Sequence, residues 1–242
     1  MVAVVMAGGK GTRLRPLTCD KPKPMVPVVG RPILEHIVRL LRKHGFTRIY
    51  ATLHYMPEVI QEYFGAGDAF GVSMHYAVED VPLGTAGSVK ACEEHLDSTF
   101  LVMSGDALTD FDLTEAVEFH RAKGAIATIV LTRVPMPLEY GVVITDKDGR
   151  ISRFLEKPSW SEVFSDTVNT GIYVLEPDVL SFFDFGQEFD FSKNLFPLIL
   201  KRNLPLFGYV ASGYWSDIGT IEQYRQTHYD ILAGRARVDI PG

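Results

Sequence analysis

Residues 5–29, VMAGGKGTRLRPLTCDKPKPMVPVV, decide how the fold of this chain is interpreted. The apolar segment 2–6 predicts a buried strand, and Gly8, Gly9 and Gly11 follow it directly. Glycine lets backbone N–H groups approach phosphate oxygens closely and adopt positive φ. The same stretch then supplies positive charge through Lys10, Arg13, Arg15, Lys21 and Lys23. It therefore predicts a strand that ends in a phosphate-binding loop.

Two familiar glycine motifs do not fit this loop. A Walker A loop needs Gly-Lys followed by Ser or Thr, and no such run occurs in the chain. The dinucleotide fingerprint begins plausibly at Gly9 and Gly11, but Leu14 stands where its third glycine belongs. A nicotinamide-dependent dehydrogenase is therefore a weak alternative.

Composition narrows the class of protein further. The chain has 242 residues and a formal net charge of −6, so no overall basic field attracts nucleic acid. No apolar run approaches the ~20 residues that span a bilayer. Two cysteines and seven unclustered histidines give neither a disulfide framework nor a metal spacing. We expect a cytoplasmic protein with neither nucleic-acid nor membrane partners.

Apolar segments alternate between strand-like and helix-like patterns as far as about residue 133, with helices predicted at about 33–43, 57–64, 85–95 and 113–122. This alternation predicts an α/β fold with a doubly wound, mostly parallel, Rossmann-like sheet. Further helices are predicted near 177–183, 192–201 and 220–233. Short strand patterns at 141–145, 151–155 and 168–175 predict a small antiparallel insertion, which suits a region that sets substrate specificity. We expect one catalytic domain over residues 1–234 and a tail over 235–242, where a further module could begin.

The glycine-rich loop and the segment that follows it together form one long motif. The loop itself reads Gly8-Gly9-Lys10-Gly11-Thr12-Arg13-Leu14-Arg15-Pro16-Leu17-Thr18, and Pro22-Lys23-Pro24-Met25 follows. The chain resembles the nucleotidyltransferase family that makes nucleotide-diphosphate sugars from a nucleoside triphosphate and a sugar 1-phosphate. The segment Pro82-Leu83-Gly84-Thr85-Ala86-Gly87 is most similar to the corresponding segment of mannose-1-phosphate guanylyltransferases. The resemblance implies a glycosyltransferase-A-like sheet whose antiparallel insertion binds the sugar. It also implies both substrates, Mg²⁺ as cofactor and a homo-oligomeric state.

Two aspartates are candidate metal ligands. Asp106 follows the apolar strand pattern 99–103, and ligands bind at the carboxyl ends of strands in open α/β sheets. Asp217 lies in a Trp-Ser-Asp-Ile-Gly context before the last helix. Either residue could instead only cap a turn or a helix. The resemblance implies that both bind Mg²⁺, and that Arg13 and Lys23 complete the catalytic set.

The resemblance also assigns the substrate-binding positions. For the nucleotide, it implies Ala7, Gly8, Gly9, Gly11, Thr12, Arg13, Lys23, Glu79, Gly84 and Thr85. For the sugar phosphate, it implies Gly141, Glu156, Lys157, Asn169 and Thr170. The chemistry is sensible, because a carboxylate accepts hydroxyl hydrogen bonds and an ammonium pairs with phosphate.

Glu79 or Asp80 favours guanine as the base. A carboxylate only accepts hydrogen bonds, and guanine offers two adjacent donors, N1–H and the 2-amino group. Uracil and thymine instead offer one N–H between two carbonyls. Alternatively, either acid could simply face solvent. GTP with mannose 1-phosphate is the favoured pair. Uridylyl-, thymidylyl- or cytidylyltransferases with another sugar are alternatives, as is a regulatory subunit that binds nucleotide sugar without turnover.

Overall fold

The computed structural model describes residues 1–156, 159 and 165–239. Strands are β1 (Val2–Met6), β2 (Pro27–Val28), β3 (Arg31–Pro32), β4 (Arg48–Leu53), β5 (Ser73–Val78), β6 (Phe100–Ser104), β7 (Ala107–Thr109), β8 (Ala127–Arg133), β9 (Gly141–Thr145), β10 (Ile151–Glu156), β11 (Thr167–Leu175), β12 (Leu206–Val210) and β13 (Trp215–Asp217). Helices are α1 (Ile33–Lys43), α2 (Pro57–Phe64), α3 (Gly84–Lys90), α4 (Leu113–Lys123), α5 (Phe196–Lys201) and α6 (Ile221–Leu232).

The chain forms two compact units. Unit 1 comprises the described residues among 1–81, 103–112 and 213–242, and unit 2 those among 82–102 and 113–212. Strand β6 therefore contributes residues 100–102 to unit 2 and residues 103–104 to unit 1.

Unit 1 contains a parallel sheet. β4 pairs with β1 on one side and with β5 on the other, both in parallel, with Val2 opposite Arg48 and Ile49 opposite Met74. Residues 2–5 of β1 are buried, as expected for a strand covered on both faces. Helix α1 buries its apolar side chains at helical spacing, as predicted: Ile33, Leu34, Ile37, Leu40 and Leu41.

Two short antiparallel ribbons complete unit 1. β2 pairs with β3, and β7 pairs with β13 so that Asp217 lies opposite Ala107. Strands of three residues carry no readable alternation, so the sequence predicted neither β7 nor β13. This pairing matters for function because it fixes the segment after Asp106 against the segment that ends at Asp217.

Unit 2 contains a mixed sheet. β12 runs parallel to β8, and β11 runs antiparallel to β8 with Leu175 opposite Ala127. β9 pairs antiparallel with both β11 and β10. The predicted antiparallel strands are therefore present, and they join the sheet through β11 instead of standing apart from it. Among the described residues no helix is long and apolar enough to cross a membrane.

Candidate active site

The glycine-rich loop of unit 1 is an ordered structure that leaves β1 at Met6. Gly11 adopts φ 63° and precedes a 3₁₀ turn over Thr12–Leu14. The hydroxyl of Thr18 donates to the Gly11 carbonyl at 2.8 Å, and Leu14 is fully buried beneath the loop. Ala7 is buried as well, whereas the side chain of Thr12 is exposed.

Gly11 is required for the approach of Lys23. A β-carbon placed on Gly11 would lie 2.7 Å from Cβ of Lys23, closer than carbon atoms pack. The positive φ of Gly11 also disfavours any side chain at this position. By contrast, Gly9 has nothing within 4 Å of an added β-carbon, and its φ is not positive.

We expect Gly11→Ala to lower the melting temperature by about 2–4 °C or more, because left-handed backbone costs about 1–2 kcal/mol with a side chain and Lys23 must move. Thermal unfolding followed by circular dichroism measures the effect. Gly9→Ala is the matched control and should leave the melting temperature unchanged. Equal melting temperatures for the two variants would contradict this explanation of Gly11.

Lys23, Asp106 and Asp217 meet in unit 1. Nζ of Lys23 lies 2.6 Å from Oδ2 of Asp106 and 3.8 Å from Oδ1 of Asp217. The Lys23 side chain is only 8% exposed, whereas those of Asp106 and Asp217 are 33% and 29% exposed. A buried ammonium needs such partners, because burying a charge without them is costly.

The chain brings Asp106 to this position through Gly105. The Gly105 amide donates to the carbonyl of Met6 at 2.9 Å, and a β-carbon on Gly105 would lie 2.8 Å from that oxygen. The hydroxyl of Ser104 donates to Oδ1 of Asp106 at 2.6 Å. The end of β6 is thus fastened to the end of β1, where the glycine-rich loop starts.

The ionised state of Asp106 is favoured. Desolvation opposes ionisation of its carboxyl group, but the Lys23 ammonium and the Ser104 hydroxyl outweigh it and hold the pKa of Asp106 below its usual range. Asp106 is therefore a carboxylate at neutral pH, as a metal ligand must be.

The two carboxylates fit a hard divalent cation. Their oxygens already converge on one cation, the Lys23 ammonium, so both lie within reach of a single centre. Carboxylate oxygens are the ligands that Mg²⁺ prefers, with waters and substrate phosphates completing its shell. Among the described residues no group of three or more His, Cys, Asp or Glu side chains forms a metal cage. A site of two carboxylates leaves room for phosphate oxygens on the metal.

Arg13 reaches the same corner of unit 1 from the loop. A β-carbon on Gly219 would lie 3.4 Å from Nη2 of Arg13 and 3.4 Å from Oδ2 of Asp217. The guanidinium and the carboxylate therefore flank Gly219, which is the second residue after the end of β13. Arg13 is exposed, so its positive charge is accessible to an anionic ligand.

Glu79 carries an unsatisfied oxygen. Its backbone N–H donates to Leu53 and its carbonyl accepts from Nδ1 of His54 at 3.0 Å. Among the described residues, Oε1 of Glu79 stands out as a buried side-chain atom without a hydrogen-bond partner. Gly8 lies beside the same histidine, since its added β-carbon would be 3.3 Å from Cβ of His54. An orphaned acceptor of this kind is expected where a ligand supplies the donor.

In unit 2, Gly84 and Thr85 open α3. Gly84 adopts φ 72°, and an added β-carbon would lie 2.6 Å from the carbonyl oxygen of Phe189. The Thr85 hydroxyl donates to Oδ2 of Asp190 and accepts from the amide of Phe191, both at 2.9 Å. The structure therefore gives Gly84 and the Thr85 side chain a role in packing against residues 189–191. The sequence did not predict these contacts.

The predicted sugar-binding residues Gly141, Glu156 and Asn169 lie together in unit 2. Glu156 is opposite Gly141 in the pairing of β10 with β9. A β-carbon on Gly141 would lie 2.9 Å from Oε2 of Glu156 and 3.5 Å from Cβ of Asn169. Glu156 is exposed, so its carboxylate is accessible. Lys157 lies outside the described residues.

Thr170 differs from its neighbours. It is 2% exposed, and its hydroxyl donates to the carbonyl of Val130 at 2.7 Å. Its side chain is therefore directed into the sheet and away from solvent. Sequence reasoning also missed Ser104 and Asp190. Asp190 could have been found as the capping residue before the predicted helix at 192–201, since Asp is a preferred helix N-cap.

Known proteins with similar sequences are found over most of this chain. A UTP–glucose-1-phosphate uridylyltransferase from Synechocystis is 42% identical to this chain over 257 residues. A mannose-1-phosphate guanylyltransferase from Mycobacterium tuberculosis is 38% identical over 236 residues. The alignments cover 100% and 97% of the chain but only 66% and 65% of the relatives. The chain thus spans just under two thirds of the length of these relatives.

Solved structures share the fold. A protein from Bacillus anthracis, described as a glucose-1-phosphate thymidylyltransferase and solved with sucrose, superimposes with a TM-score of 0.84 at 28% identity, covering 95% of this chain and 94% of that one. HddC from Yersinia pseudotuberculosis gives a TM-score of 0.81 at 27% identity, covering 95% and 99%. These likenesses confirm the predicted mostly parallel, Rossmann-like sheet with flanking helices.

The description of the matching family is Nucleotidyl transferase, and the match extends over residues 2–234. It includes the glycine-rich loop, both aspartates and strands β9, β10 and β11. The chain therefore belongs to the Nucleotidyl transferase family, as the motifs of residues 8–25 predicted.

Proposed function

We propose that this chain transfers a nucleotidyl group from a nucleoside triphosphate to a sugar 1-phosphate and releases pyrophosphate. The observation that carries this proposal is the convergence of Asp106 and Asp217 on the Lys23 ammonium beside the glycine-rich loop. Residues 1–234 would form the catalytic domain, and the family match over residues 2–234 supports that extent.

In the proposed reaction, an oxygen of the sugar phosphate attacks the α-phosphorus of the nucleotide. A new P–O bond forms while the bond to the oxygen that bridges the α- and β-phosphates breaks, and pyrophosphate leaves with the electron pair. The attacking oxygen is already an anion, so neither a protein nucleophile nor a strong general base is required. The difficulty is to bring two anions together, which requires positioning and positive charge.

Residues of unit 1 would supply that charge. Arg13 would stabilise the charge that develops on pyrophosphate, and Lys23 would contact the α-phosphate. Asp106 and Asp217 would hold Mg²⁺, which neutralises phosphate charge when it is bound. Backbone amides of Gly8, Gly9 and Gly11 would receive the triphosphate oxygens.

Residues of unit 2 would hold the sugar phosphate. Glu156 presents an exposed carboxylate beside Gly141, which suits the acceptance of sugar hydroxyl hydrogen bonds. Asn169 is adjacent, and Lys157 remains the proposed partner of the attacking phosphate. Thr170 would contribute only its backbone, since its hydroxyl is bound to Val130.

GTP is the proposed nucleotide, and mannose 1-phosphate the proposed sugar. The unpartnered Oε1 of Glu79 supports guanine, whose N1–H and 2-amino group are both donors. The guanylyltransferase relatives and the HddC structure solved with GMP-PN are consistent with this choice. UTP with glucose 1-phosphate is the second candidate, because the relative from Synechocystis is named for that reaction.

The test is pyrophosphate release with Mg²⁺ across GTP, UTP, dTTP and CTP, each combined with mannose 1-phosphate and glucose 1-phosphate. We expect the highest kcat/KM for GTP with mannose 1-phosphate. Turnover with a different pair would reject that specificity and keep the reaction. Tight binding of a nucleotide sugar with no pyrophosphate from any pair would reject catalysis and favour a regulatory subunit.

We expect Glu79→Gln to lower the ratio of kcat/KM for GTP to that for UTP by about tenfold, the effect of one lost charged hydrogen bond. The amide can donate as well as accept, so it no longer favours a base edge that only donates. Asp80→Asn is the matched control, because Asp80 is the adjacent acid and is exposed. An unchanged ratio in Glu79→Gln would remove this residue from base recognition.

A further inference from the structure

Asp190 makes more side-chain hydrogen bonds than its place in a loop requires. It precedes a π-helical turn over Phe191–Leu195 in unit 2. Its Oδ1 accepts from the amides of Ser192 and Lys193 at 3.0 and 3.2 Å, so it caps that turn. Its second oxygen, Oδ2, is not used by the cap and accepts from the Thr85 hydroxyl at 2.9 Å.

The link to Thr85 is reinforced by the backbone around it. The carbonyl oxygen of Phe189 accepts from the amides of Ala86 and Gly87, each at 2.9 Å. The Phe189 amide donates to the carbonyl oxygen of Leu83 at 2.8 Å. The amide of Phe191 donates to the Thr85 hydroxyl at 2.9 Å. The first turn of α3 is thus bound by Phe189 and Phe191, the two neighbours of Asp190. The Thr85 hydroxyl donates to Asp190 and accepts from Phe191.

The same turn reaches the sugar-side residue Asn169. The side-chain amide of Asn169 donates to the hydroxyl of Ser192 at 3.4 Å and to that of Tyr173 at 3.0 Å. Its Oδ1 accepts from the amide of Gly171 at 2.9 Å. Ser192 is therefore one of three partners that orient the Asn169 side chain, and the amide of Ser192 is held by the cap that Asp190 supplies.

We propose that Asp190 is a positioning residue that holds the segment opening α3 and the side chain of Asn169 in one fixed arrangement. Through its two oxygens it joins Thr85, on the segment assigned to the nucleotide, to Ser192, which contacts the residue assigned to the sugar. The inference rests on the proposed function for its meaning in catalysis. The connection itself is a property of the fold and is measurable without turnover.

The informative variant is Asp190→Ala. Alanine removes both oxygens, so it loses the cap on the turn over Phe191–Leu195 and the contact with Thr85 together. Asp190→Asn is the conservative rescue, because its amide oxygen can still cap the turn while its amide nitrogen can donate to the Thr85 hydroxyl. Asp184→Asn is the matched control. Asp184 is exposed in the same segment, and its substitution by Asn also removes one negative charge.

Hydrogen–deuterium exchange tests the connection directly. We expect Asp190→Ala to raise exchange at least tenfold in peptides covering residues 84–90 and 168–172, with Asp190→Asn and Asp184→Asn close to wild type. Unchanged exchange in either peptide of Asp190→Ala overturns the proposal. This outcome is decided even if the wild-type protein turns over no substrate pair, a result that would reject only the proposed function.

Steady-state kinetics test the consequence for substrate binding. With the pair that the wild-type protein prefers, we expect Asp190→Ala to raise KM for the nucleotide and for the sugar 1-phosphate about tenfold each, with kcat within threefold. A residue that only stabilises the fold would lower the melting temperature and leave both KM values unchanged. A rise in only one KM would also overturn the coupling of the two segments.

Discussion

Replacing Arg13 with alanine should lower the turnover of pyrophosphate release several hundred-fold and leave the melting temperature unchanged. Removing one donor that stabilises transition-state charge costs about 10²–10³ in kcat. Arg13 is exposed, and no described residue forms an ion pair with it, so its removal should cost little stability. The effect should appear in kcat, because the charge on leaving pyrophosphate is greatest in the transition state.

Arg15→Ala is the control for Arg13→Ala. Arg15 lies two residues further along the same loop and is also exposed, so it removes an equal charge from nearly the same place. The long-range attraction of an anionic substrate would be weakened similarly in both variants. A several-hundred-fold difference between them therefore assigns the effect to the position of Arg13 beside Gly219 and Asp217. Near-normal turnover in Arg13→Ala would exclude this residue from the catalytic set.

The residues of the candidate site were easier to predict from the sequence than the contacts that arrange them. The loop over residues 8–25 is a local motif, and the resemblance is carried by consecutive residues, so the amino-acid sequence alone was enough to recognise the family. Asp106 could be placed because it follows an apolar strand, and carboxyl ends of such strands hold ligands. These predictions needed only short-range patterns.

The contacts that arrange these residues were beyond short-range patterns. β7 and β13 are three residues each and more than a hundred positions apart, yet their pairing brings Asp217 beside Asp106 and Lys23. Similarly, the resemblance predicted that Thr85 contacts the nucleotide, whereas the Thr85 hydroxyl forms hydrogen bonds with Asp190 and Phe191. Helix α3 ends at Lys90 and not near residue 95, since tertiary context decides where a helix stops.

Replacing Asp106 with asparagine should lower turnover several hundred-fold and also abolish the thermal stabilisation that we expect Mg²⁺ to give the wild-type protein. A ligand that binds only the folded state raises the melting temperature, so loss of the shift reports loss of the site. Asparagine keeps the shape of the side chain but removes the charge that a hard cation requires. Differential scanning fluorimetry with and without Mg²⁺ measures the shift independently of turnover.

Asp20→Asn is the control, because Asp20 is exposed in the same loop and pairs only with neighbouring Lys21 among the described residues. It should retain both turnover and the Mg²⁺ shift. A persistent Mg²⁺ shift in Asp106→Asn would show that the metal binds elsewhere, and near-normal turnover would remove Asp106 from catalysis.

A double variant separates catalysis from folding at this cluster. Asp106→Asn alone leaves the buried Lys23 ammonium with Asp217 at 3.8 Å, so its melting temperature should fall. Adding Lys23→Met removes the buried charge and should recover much of that loss, because an apolar side chain tolerates burial. Turnover should not recover, since both the metal ligand and the phosphate contact are gone. Recovery of turnover together with stability would mean that the Lys23–Asp106 pair serves only the fold.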